Sequence, residues 1–171
     1  RHRLFVKVMR FVLLAAFLVL WEAAADQGYP RAQCNLGVCC EFGRGVAKDV
    51  PKAAWLYRKA AEQGDRVGAC NLGYLYETGV GVEQSWKDAA AWYRKSAEQG
   101  YCRAQYNLAW CYENGKGVGQ DLKEALELYR AAAAQDYVDA VKAVERLEKE
   151  QKTPKEKGGF LKGLFGGRKN R

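Results

Sequence analysis

The sequence predicts an all-α protein, an α-solenoid of antiparallel helix pairs. Three observations carry that prediction: a gapless internal period of 36 residues, helical spacing of apolar residues inside each period, and glycines at fixed places between the helices. Laid on itself at that shift, the chain superposes Asn35 on Asn71 and Asn107, and Leu36 on Leu72 and Leu108. Gly28, Gly64 and Gly100 coincide, as do Gly43, Gly79 and Gly115, and Tyr57, Tyr93 and Tyr129. Three units are therefore clear, and each must be one supersecondary element.

The elements follow in order. In unit one, Ala32, Leu36, Cys39 and Cys40 fall at i, i+4, i+7 and i+8, which predicts a first helix over about residues 30–42. Gly43, Arg44, Gly45 and Val46 form the connector, and a second helix runs from about Val50 to Gln63 with Gly64 as its C-terminal cap. Asp49, Ser85 and Asp121 suit the N-cap of the second helices, because a short side-chain oxygen accepts from a free N–H of the first turn. Pro51 sits in a first turn, where its missing N–H costs nothing. Gly37, Gly73 and Ala109 are small enough for close helix approach, and Tyr57, Tyr93 and Tyr129 are expected to fill the space between successive pairs. Neither helix can bury its apolar face alone, so stability must come from stacking neighbours.

Outside the three units, residues 1–27 form an N-terminal apolar helix, 137–152 a capping helix and 153–171 a basic, glycine-rich tail; residues 28–136 are the repeats. Trp21, Ala24, Ala25, Gln27 and Gly28 align with Tyr57, Ala60, Ala61, Gln63 and Gly64, which reads as the second helix of a partial preceding unit. The apolar run Phe11–Leu20 behind Arg1, Arg3, Lys7 and Arg10 also has the form of a signal-peptide core, and Met9 is a candidate start. Ten apolar residues are too few to span a bilayer. Val138, Val141, Val144 and Leu147 recur at helical spacing and predict the apolar face of the capping helix. In the tail, Phe160, Leu161, Leu164 and Phe165 share one helical face among lysines and arginines, suited to a partner groove or an anionic membrane surface, or else to a disordered basic tail.

The motifs Ala-Cys-Asn-Leu-Gly-Tyr-Leu-Tyr-Glu-Thr-Gly-Val-Gly-Val (69–82) and Ala-Ala-Ala-Trp-Tyr-Arg-Lys-Ser-Ala-Glu-Gln-Gly (89–100), with counterparts in units one and three, resemble the Sel-1-like repeats. These are relatives of the tetratricopeptide repeat, and the likeness covers residues 23 to about 141. It implies an adaptor or scaffold whose partners differ from protein to protein. Some secreted bacterial members staple each helix pair with a disulfide, and one cysteine of that staple would fall near Ala61, Ala97 or Ala133. Alanine at all three implies that the staple is missing, which favours a reducing, cytoplasmic setting over an exported or membrane-associated one.

Charge and chemistry narrow the function. The chain carries a net charge of +8, but the ends hold it: residues 11–148 sum to −2 with both signs interspersed, so no nucleic-acid stripe is expected. Of the six cysteines, Cys34 and Cys70 share a repeat position and Cys111 aligns with Leu75 and Cys39, which marks packing. His2 is the one histidine, so no histidine-assisted nucleophile or metal site is expected within the repeats. The connectors lack the strand and Gly-Lys-Ser/Thr ending of a phosphate loop. A monomer without cofactor, metal or catalytic activity, binding a protein or peptide, is the expectation. Its site is placed on the concave stripe of first helices: Arg31, Asn35, Val38 and Glu41; Val67, Asn71, Tyr74 and Glu77; Arg103, Asn107, Trp110 and Glu113. The asparagines suit a peptide backbone, unless asparagine is simply the repeat's residue at that place, and Tyr74 and Trp110 supply anchor area. Trp110 is expected to stand clear of the core that Leu108 and Tyr112 build.

Overall fold

The computed structural model describes Met9 and residues 16–152. Among these there are helices and no strands. Residues 16–26 form α1; then come α2 (Pro30–Phe42), α3 (Val50–Glu62), α4 (Arg66–Thr78), α5 (Trp86–Ala97), α6 (Cys102–Asn114), α7 (Leu122–Ala133) and α8 (Val138–Lys152). The pairs α2/α3, α4/α5 and α6/α7 pack most extensively within themselves and next on the helix that follows, the nearest-neighbour pattern of a solenoid.

Local chemistry sets the helix ends. The Asp49 carboxylate accepts from the Lys52 N–H at 2.9 Å, the Ser85 hydroxyl from the Asp88 N–H at 3.2 Å, and the Asp121 carboxylate from the N–H groups of Lys123 and Glu124. Each such cap contributes about 1 kcal/mol. The second helices end two or three residues before Gly28, Gly64 and Gly100, all at positive φ. Unit three keeps the same turn with Asp136, which is held at φ 61°.

The core corrects the expected role of the tyrosines. Tyr57 and Tyr93 lie inside their own pairs: a Cβ on Gly37 would stand 2.7 Å from the Tyr57 ring, and one on Gly73 would stand 2.7 Å from the Tyr93 ring. The small residue and the tyrosine are thus one fitted pair, while Leu72 and Leu75 of the next unit join the same apolar cluster and fill the seam. Polar ties cross each seam as well: Arg58 donates to the Tyr76 hydroxyl, Arg94 to the Tyr112 hydroxyl at 2.8 Å and Arg130 to Glu148 at 2.5 Å.

The ends behave differently. Helix α1 takes the second-helix place of a preceding unit, with Leu18 and Ala25 buried, but Phe17, Val19 and Leu20 exposed. Phe17 and Leu20 align with Ala53 and Leu56, which are buried in their own pair. At the other end, α8 buries Ala140, Ala143 and Leu147, while Val138 and Val141 are exposed. Of the expected stripe, Leu147 is buried and Val144 packs on the same cluster, while Ala140 and Ala143 take the places expected for Val138 and Val141. The tail residues Phe160, Leu161, Leu164 and Phe165 lie outside the described residues. Among the described residues, no helix is long and apolar enough to cross a membrane.

Candidate functional site

Six of the expected residues, Val38 and Val67 among them, meet around one cavity. Glu41 of α2, Asn71 and Tyr74 of α4 and Arg103 of α6 line a groove of about 450 Å³ together with Val38, Phe42, Tyr57 and Val67. Side chains from three successive first helices converge there. Phe42 and Tyr74 are both exposed, which leaves apolar area open to solvent at the groove mouth. Phe42 escapes the repeat pattern because Thr78 and Asn114 stand at its place in the other units, and that departure was its signal.

The remaining polar residues divide by how their bonds are used. Tyr57 donates its hydroxyl to Glu41 at 2.6 Å, Tyr93 to Glu77 at 2.5 Å and Tyr129 to Glu113 at 2.8 Å. The three glutamates expected to face a partner are thus committed to the fold. Glu113 also holds Arg146 of α8 at 2.7 Å. Burial first, and the carboxylate neighbour second, push the Tyr57, Tyr93 and Tyr129 phenols above their ordinary range. By contrast, the half-buried side chains of Asn35, Asn71 and Asn107 make no hydrogen bond to another described residue, so their amides are open to a ligand. Asn35 lines a separate cavity of about 180 Å³ with Trp21, Val38, Cys39 and Arg44. Arg31 forms an ion pair with Asp65 at 3.6 Å.

Trp110 is not the free anchor that its register suggests. Its ring stacks on Trp86 with centroids 5.5 Å apart and an interplanar angle of 28°, and it packs against the apolar clusters on both sides of α6. Trp86 starts the second helix of unit two, so the stacked pair ties that unit to the next. No period within one helix discloses such a partner.

Among the described residues, no group of three or more His, Cys, Asp or Glu side chains is placed to hold a metal. All six cysteines are free thiols. Burial pushes the Cys34, Cys70 and Cys111 thiols up to about 12, which leaves them protonated and poor nucleophiles at neutral pH.

Comparison with known proteins agrees with this geometry. The Sel1 repeat model matches residues 30–65, 67–101 and 102–137. A protective antigen of uropathogenic Escherichia coli superposes with a TM-score of 0.77 at 34% identity, over 82% of this chain and 30% of that one. A Sel1 repeat protein from Oxalobacter formigenes gives 0.70 at 34% identity, over 75% of this chain and 53% of the other. Helicobacter pylori cysteine rich protein B gives 0.58 at 26%, over 71% and 92%. DAP3-binding cell death enhancer 1 of Rattus norvegicus and of Mus musculus is 52% identical over 33 residues, a stretch that is 19% of this chain and 6% of either relative. With three consecutive repeats matched and the same solenoid in its structural neighbours, this chain belongs to the Sel1 repeat family.

Proposed function

We propose that this chain is a non-catalytic adaptor that holds a peptide or protein partner in the groove formed by α2, α4 and α6. The observation that carries this reading is the groove itself: exposed Phe42 and Tyr74 stand beside the unspent amide of Asn71 and the guanidinium of Arg103, around a cavity of about 450 Å³. Aromatic area next to a few unsatisfied donors is the usual make-up of a binding hot spot. A relative matched over one repeat is named for binding another protein, which agrees with this use of the fold. A reducing compartment suits six free thiols, most of them buried in helix packing, and mass spectrometry of the mature N-terminus tests whether residues 1–25 are removed on export.

The test of the groove is Tyr74→Ala, scored by capture of cellular partners and by a thermal melt. Partner recovery should fall by about tenfold or more, the hot-spot scale, with the melt almost unchanged because Tyr74 is already exposed. Unchanged recovery with the fold intact would move the site elsewhere.

A further inference from the structure

The geometry points to a carboxylate as the group the groove recognises: the partner is a peptide that sets an Asp or Glu side chain, or a free C-terminus, on Arg103. This deepens the adaptor reading and rests on it. The inference begins from an internal comparison. Arg31 and Arg103 occupy the same repeat position, and Arg31 is neutralised by Asp65, the residue 34 places further on. For Arg103 that place is filled by Tyr137. Among the described residues, the Arg103 guanidinium makes no hydrogen bond and no ion pair.

Its surroundings offer no substitute. The groups that act on its charge include Cys70, Tyr101, Tyr93, Tyr137 and Tyr57, a thiol and four phenols that are neutral at pH 7. Glu41 lines the same groove, but it already accepts the Tyr57 hydroxyl and lies beyond ion-pair distance of Arg103. A half-buried guanidinium without a counter-ion loses hydration and gains nothing in return, and the natural complement is a planar carboxylate taken by two parallel N–H donors. Asn71 stands ready to bond the peptide backbone beside it, and Val67 and Tyr74 to cover an adjoining apolar side chain. Outside the described residues, 1–8 and 10–15 contain no acid and 153–171 contain Glu156 among six basic side chains, so these segments offer the site little carboxylate.

The probe is an array of random-sequence peptides, printed once through the C-terminus and once through the N-terminus, read with the full chain. The wild-type chain should favour peptides with Asp or Glu in the first print, with a free C-terminal carboxylate in the second, or both; the two prints separate the sources. For the strongest peptide, changing the carboxylate to an amide should weaken binding about tenfold or more. The same change should have less than about a twofold effect on Arg103→Gln, whose guanidinium is gone. Arg103→Lys, which keeps the charge and serves if the glutamine variant folds poorly, should retain part of the preference and show it weakening with salt. Peptides held equally as acid and amide would overturn the inference and leave the adaptor groove standing. An array that holds nothing through Tyr74 would take both away.

Discussion

Tyr93 donates its hydroxyl to Glu77 Oε2 at 2.5 Å, and the same bond recurs in the other two units between residues 16 apart. The tyrosine ring lies on Gly73 while its hydroxyl holds Glu77 of the same helix, so one side chain locks the helix pair at two points. Removing the hydroxyl with Tyr93→Phe should cost about 1.5–3 kcal/mol, the range for a hydrogen bond to a charged group. Tyr129→Phe should cost less, because Glu113 keeps Arg146. Denaturant melts of the two variants compare them directly, and equal losses would show that the second partner carries nothing.

Trp110→Ala should lower stability by about 2–4 kcal/mol, since it empties a stacked, half-buried site in the seam between units two and three. Thermal unfolding measures this. A melt within a degree or so of wild type would return Trp110 to the list of free groove anchors.

The connector glycines separate close approach from mere turn. A Cβ on Gly117 would collide with the backbone of Trp86 and Lys87, and φ there is +71°, whereas a Cβ on Gly119 meets nothing within 4 Å. Gly117→Ala should therefore cost about 2 kcal/mol or more, and Gly119→Ala less than about 0.5 kcal/mol. Chemical denaturation midpoints of the two variants, read side by side, decide it.

Asp136 carries the strain that Gly28, Gly64 and Gly100 avoid at the same repeat position. Asp136→Gly should raise stability by about 0.5–1 kcal/mol, the residual cost of a left-handed aspartate. A lower melting temperature would mean that the aspartate side chain contributes a contact worth more than the strain.

Alkaline pH should unfold the chain early. Folded Cys70 keeps its proton up to about 12 against an ordinary value of 9.0, and the buried phenols shift in the same direction. The unfolded chain then releases protons first, so this stability is fully present below about pH 9 and is lost as pH rises toward the folded value. Melting temperature measured across that range should fall steadily above pH 9. A flat profile would show that these groups are not buried as the packing requires.

What the sequence determined by itself is the part that depends on near neighbours along the chain. The 36-residue register set the helix pairs, Asp49, Ser85 and Asp121 set the caps, and Gly64 and its equivalents set the turns, because each is decided within a few residues of backbone. Six groove residues, Val38, Glu41, Val67, Asn71, Tyr74 and Arg103, were also legible from that register. Only the tertiary structure decided which polar groups remain free. The Tyr57–Glu41 bond joins the two helices of one pair, whereas the Trp86–Trp110 stack and the Arg146–Glu113 ion pair cross between units, and the geometry of these two follows from how successive elements rotate against one another. That rotation is set by packing across the seams, where Leu72 and Leu75 meet the cluster around Tyr57, and no period within a single unit encodes it.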